Sequence, residues 1–138
     1  MTPVHILLEI QLTAGADAVY AALCDWAAHG DWVPMTRVDV LSRDEFIAYT
    51  GVWPLVLKDH MRVVSRRDAE REVVVEKLGP LLHGSVMFRV EERGDGCCVV
   101  WDESLQMPFL PKMLSNPLGH AGSGLFRVAF RKFARGFR

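Results

Sequence analysis

The chain is short of cysteine, nearly without net charge and nowhere apolar for long, and each shortage narrows what it can do. Its three cysteines, Cys24, Cys97 and Cys98, have no metal-site spacing. Adjacent residues of a strand point to opposite faces, so a Cys97–Cys98 bridge would be strained and buried free thiols are expected. The histidines His5, His29, His60, His83 and His120 share no helical turn, so neither a metal nor any other cofactor is expected. No serine has the sharp-turn setting of an acyl-enzyme nucleophile, and the glycines punctuate turns rather than cradling a phosphate. A formal net charge of −1 argues against a general nucleic-acid binder. No apolar run approaches membrane-spanning length, and Val4–Leu12, interrupted by His5, Glu9 and Gln11, lacks the form of a signal peptide. The expected compartment is the cytoplasm, without integral membrane contact.

What is present is a folding pattern. Half of the 138 residues are hydrophobic and 24% are charged, which suits a single domain over 1–138 with its own core. Val4, Ile6, Leu8, Ile10 and Leu12 alternate with mostly polar residues, as in a half-buried strand. Helical spacing follows over Ala16–Cys24, then a short helical piece over Asp25–His29 that should end at Gly30. Strand patterns occupy 38–41, 46–50, 55–66, 71–78, 83–91 and 97–107, separated by polar or glycine-rich turns. Pro108, Pro111 and Pro117 mark an irregular crossing to a last helix, Pro117–Arg138. There Phe126, Phe130, Phe133 and Phe137 recur at helical spacing, and Leu118, Leu125, Val128 and Ala129 widen the stripe. Arg127, Arg131, Arg135 and Arg138 form the opposite, solvated stripe, and cations there also suit the helix dipole. Gly119, Gly122 and Gly124 mark either a flexible portal or a close crossing of helix and sheet. The fold class is therefore α+β: a curved antiparallel sheet of about seven strands around a long C-terminal helix, with two short helices after the first strand.

Phasing each strand by its more apolar set gives the inward faces. They read Leu57, Asp59, Met61, Val63; Val73, Val75, Lys77; Val86, Phe88, Val90; and Val99, Trp101, Glu103, Leu105. A four-residue turn at Arg93–Gly96 sets Val99 opposite Val90 and Trp101 opposite Phe88, so the last two phases agree. Three ionisable groups, Asp59, Lys77 and Glu103, are thereby placed on an apolar surface, where they must pair, neutralise or meet water. A structural ion pair of Lys77 with Asp59 or with Glu103 fits this spacing. So does a polar patch inside a ligand cavity. Trp26, Trp32 and Trp53 are expected to roof that space, although ordinary core packing explains them equally.

Several ordered stretches carry a resemblance. They are Ala16-Asp17-Ala18-Val19-Tyr20, Asp25 and Trp32-Val33-Pro34, then Asp59-His60-Met61-Arg62-Val63, and then Gly79-Pro80-Leu81-Leu82-His83-Gly84, Phe88-Arg89-Val90 and Trp101-Asp102-Glu103. Together they resemble the START-like, or SRPBCC, superfamily with its Bet v 1-like helix-grip fold, and within it the polyketide cyclase/dehydrase branch of small bacterial proteins. The resemblance spans nearly the whole chain and departs from the family at His60, where proline is frequent. It implies that Asp59, Trp101 and Glu103 belong to the family pattern, and it supplies no catalytic residue common to the superfamily.

Two functions follow closely together. The first is a module that binds a hydrophobic or aromatic molecule (polyketide-, lipid- or isoprenoid-like) through Trp101, Trp53, Met61, Val75, Phe88, Val90, Leu105, Phe126 and Phe130. The second is a cofactor-independent cyclase/dehydratase in which Glu103, with Asp59, acts as general acid–base and Lys77 or His83 polarises a carbonyl. A third is an interaction protein working through its basic last helix. A monomer and a homodimer both fit.

Overall fold

The computed structural model describes residues 2–80, 82–107, 113 and 115–137. Alternating apolar residues build β1 (Thr2–Leu12), and the changed period after Gly15 gives α1 (Ala16–Leu23), with Asp17 in its first turn. A 3-10 turn at Trp26–Ala28 leads into α2 (His29–Trp32). Then come β2 (Thr36–Ser42), β3 (Glu45–Val52), β4 (Leu55–Arg67), β5 (Glu72–Leu78), β6 (His83–Arg93), β7 (Gly96–Met107) and α3 (Ser115–Arg135). The strands pair antiparallel in the order β1-β7-β6-β5-β4-β3-β2. Register slips between Val40 and Ser42 and between Val63 and Ser65 strengthen the local twist and bend the sheet.

The inner face is the one the alternation indicated. Val73, Val75, Val86, Phe88, Val90, Val99 and Trp101 are buried, and Val90 faces Val99 while Phe88 faces Trp101. Cys97 and Cys98 are buried free thiols, and Cys24 is half-buried and free. Leu57, at the hairpin end of β4, stays exposed. On α3, Ala129, Phe130 and Phe133 are buried against the sheet side, with Phe126 and Phe137 half-buried.

Three expectations need correction. Gly30 does not end the second helical piece; α2 runs through it to Trp32. A Cβ at Gly30 would stand 3.0 Å from the Thr36 carbonyl, so the glycine serves a close approach of α2 to β2. Val128 does not widen the apolar stripe, being 51% exposed beside the fully buried Ala129. The last helix starts at Ser115, two residues before the expected Pro117, which therefore sits inside its first turn, a position proline tolerates. The side chain of Leu118 and the residues Pro108, Pro111 and Arg138 lie outside the described residues.

Gly122 shows why α3 is glycine-rich at its start. A Cβ there would meet Ile6 Cδ1 at 2.7 Å, so the helix crosses β1 closely at this point. Truncating the buried anchor, Phe130→Ala, should cost about 3–5 kcal/mol in urea unfolding. Val128→Ala on the same helix should stay within about 0.5 kcal/mol of the parent.

Candidate functional site

A cavity of about 110 Å³ lies between the inner face of the sheet, α2 and α3. The flat rings around it are fixed by one another. Trp26 stacks on Phe46 at 4.6 Å and Phe88 on Trp101 at 5.7 Å, while Trp101 also meets Phe126 at 5.4 Å. Trp32 leans on Phe130 and Phe133 of α3. The Trp26 indole N–H donates to the Arg43 carbonyl at 2.9 Å, which holds its ring plane. Each offset or edge contact of this kind adds roughly 0.5–1.5 kcal/mol to the burial of the rings.

Three strands deliver the polar groups. Lys77 of β5 pairs in register with Met61 of β4 and Gly84 of β6, so Asp59, two residues before Met61, shares its face. Glu103 of β7 stands opposite Val86 and Ile6. Gly84 has no side chain to come between Lys77 and the next strand. Lys77 and Glu103 are both buried. The Lys77 ammonium donates to Asp59 Oδ2 and lies 3.7 Å from Met61 Sδ, so of the two possible carboxylate partners it bonds Asp59. Glu103 Oε1 accepts from the Trp101 indole N–H at 3.3 Å. Asp59 Oδ1 is buried and has no hydrogen-bond partner among the described residues.

The electrostatics separate the two carboxyl groups. Burial works to lower the Lys77 pKa, but the charges of Glu103 and Asp59 together outweigh it, and the ammonium is held above its usual range. Burial is the main influence on Glu103 and pushes its carboxyl above the usual range; Lys77 opposes this, Asp59 reinforces it, and the Trp101 hydrogen bond opposes it. The result is an ion pair beside a carboxyl that holds its proton longer than a free glutamate. That direction suits a group giving a proton to a ligand oxygen, or donating a hydrogen bond to one.

Of the expected wall, Trp101, Met61, Val75, Phe88 and Phe126 line the cavity with Asp59, Lys77 and Glu103. Trp53 does not: it stands 85% exposed at the β3–β4 tip, because the chain reverses there beyond the sheet's covered area. Val90 and Phe130 belong to the packed core, and Leu105 packs against it, half-buried. The sequence reading missed His29, Thr36 and Thr50, which also line the space. His29 Nε2 donates to the Leu23 carbonyl at 2.6 Å, leaving Nδ1 as an acceptor, and burial holds the ring below its usual pKa. The Thr36 hydroxyl donates to the Pro34 carbonyl at 3.0 Å and accepts from Thr50 at 2.9 Å. Their signal in the sequence was slight: one histidine in a short helix and two threonines on neighbouring strands. Among the described residues, no group of three or more His, Cys, Asp or Glu side chains is placed to hold a metal ion.

Comparison of the fold with solved structures gives the decisive likeness. A START superfamily protein from Mycobacterium smegmatis superposes with a TM-score of 0.80 at 12% identity, covering 97% of this chain and 99% of that one. The chain has the START-like helix-grip fold. The Zhui aromatase/cyclase from a Streptomyces species matches with a TM-score of 0.75 at 16% identity over 96% of this chain and 95% of that one. A major latex-like protein from Panax ginseng matches at 0.75 and 8% identity over 99% and 98%. No family model matches the sequence, and no curated protein matches it by sequence. In this fold the helix and sheet enclose a small aromatic chamber with one charged corner.

That corner should be visible in the pH dependence of stability. Between the unfolded and the raised folded pKa of Glu103, the native protein keeps a proton that the unfolded chain has released. Stability from this group is therefore full below the unfolded value and is lost as pH rises through the folded one. Glu103→Gln should fold, and the stability difference, variant minus parent, should grow as pH rises from about 4 to about 8 in urea unfolding.

Proposed function

We propose that residues 1–138 act as a single START-like domain of the polyketide cyclase/dehydrase kind that binds a hydrophobic, aromatic small molecule between the sheet and α3. The supporting observation is the chamber itself, an apolar space walled by stacked rings with a buried ammonium–carboxylate pair at one side. Flat walls favour a flat ligand over a lipid or isoprenoid chain. An apolar cavity of about 150 Å³ is enough to hold benzene, so about 110 Å³ takes roughly one ring as the side chains stand. A larger polyketide would enter one ring first, with Phe126, half-buried on α3, turning aside. The unpartnered Asp59 Oδ1 would accept a hydrogen bond from a ligand hydroxyl, and the Glu103 carboxyl would donate one to a ligand carbonyl.

Tryptophan fluorescence of the protein titrated with phenol-sized hydroxyaromatics tests this, because Trp101 stands in the wall. Saturable quenching by a hydroxyaromatic, lost in Met61→Trp with the fold retained, is the expected result. Equal quenching in Met61→Trp, or none in the parent, would overturn it.

The position of Glu103 favours a second reading, an enzyme that closes or dehydrates an enolisable chain with this carboxyl as general acid–base. With a substrate in hand, Glu103→Gln should lower kcat by about 10²–10⁴-fold at little change in KM. Unchanged turnover would leave binding as the whole function.

A further inference from the structure

Among the described residues, several large apolar side chains stand exposed together at one hairpin tip. At the β3–β4 tip Val52 is 67%, Trp53 85% and Leu55 83% exposed, and Met35 beside them is 60% exposed. The other three tryptophans, Trp26, Trp32 and Trp101, are buried, so Trp53 stands apart from its own kind. The tip is held by the sheet: the Gly51 N–H donates to the Met35 carbonyl at 2.9 Å. Gly51, at φ 123°, lets the two strands close on each other, since a Cβ there would lie 2.2 Å from the Leu55 carbonyl. Apolar side chains displayed together on a fixed turn indicate an interaction surface.

The charge around the tip selects the partner. The groove below it contains Arg37 and Lys132 as its charged side chains, and exposed Lys58 follows on β4. Asp39 approaches Arg37 only to 4.0 Å in a solvent-exposed pair, which is weak; the guanidinium lies over the Tyr49 ring at 4.5 Å and the side chain stays 70% exposed. An apolar wedge carrying one exposed indole, with cations set behind it, matches the profile of an anionic bilayer: acyl boundary, headgroup layer, phosphate. A second copy of the chain fits less well, because a two-fold contact through this patch would bring Arg37 and Lys132 towards their own equivalents.

We propose that the β3–β4 tip is a peripheral docking wedge for an anionic lipid surface, with Val52, Trp53 and Leu55 entering the headgroup layer and Arg37, Lys58 and Lys132 meeting phosphates. The wedge adjoins the chamber, since Val33 and Thr36 line both the cavity and the groove under the tip. A docked molecule would therefore take up its ligand at the membrane; that step alone rests on the proposed binding function, and the docking does not.

Vesicles of phosphatidylcholine, with and without phosphatidylglycerol, test the wedge on the intact chain. Co-sedimentation with the anionic vesicles only, weakened by salt, together with a blue shift in emission that Trp53→Ser removes, is expected. Val52→Ser combined with Leu55→Ser should weaken the partition by about tenfold or more, while hydroxyaromatic quenching in vesicle-free solution stays unchanged. Arg37→Glu combined with Lys132→Glu should abolish the preference for anionic lipid. Absence of vesicle binding by the folded parent, equal binding by the serine variant, or self-association that Trp53→Ser disrupts in place of vesicle binding would each overturn the proposal. A loss of quenching with vesicle binding intact would instead count against the chamber as a binding site and leave the wedge standing.

Discussion

The structure depends on how α3 is supported. A long amphipathic helix laid on a flat sheet would bury its phenylalanines against the middle strands and leave no space. Here the backbone of α3 comes close at β1, where Gly122 admits Ile6, and to α2, whose Trp32 carries Phe130 and Phe133. Over the middle strands side chains bridge the gap, Trp101 reaching Phe126 and Phe130 at 5.4 Å each. The bulges in β2 and β4 curl the sheet beneath the helix, and the chamber is what this suspension leaves.

Burying three ionisable groups in such a space is costly unless they answer one another. Lys77 and Asp59 do so directly, and Lys77 acts on Glu103 through charge. The arrangement leaves one oxygen of Asp59 without a partner among the described residues and one carboxyl with a raised pKa, within a largely apolar wall. A core built only for stability would gain from apolar replacements of the same shape. The polar corner is therefore not explained by stability alone, and it sits against an aromatic wall.

The face of each strand was legible because side-chain direction has a period of two, whatever the sheet does in space. Any strand that turns Val75 to the inner face turns Lys77 there too, and any that turns Trp101 inward also turns Glu103 inward. That local rule placed the charged corner without a structure. The rule is silent on distance along the sheet. Trp53 carries the same apolar signal as Trp26, yet one projects from a hairpin tip and the other closes the chamber, because only the folded chain decides which turns extend past the cover of α2 and α3. Gly30 likewise looked like a helix stop, and was instead a contact between α2 and β2.

By itself the sequence determined the succession of strands and helices along the chain, the inward set on most strands and the amphipathic last helix, since all three follow from short-range periodicity. Tertiary structure alone decided which carboxylate Lys77 bonds, which tryptophan faces water, how His29, Thr36 and Thr50 join the wall, and how much room remains. Those depend on contacts between residues far apart in the chain, where small shifts in helix height or strand curl change the answer and leave no trace in the periodicity.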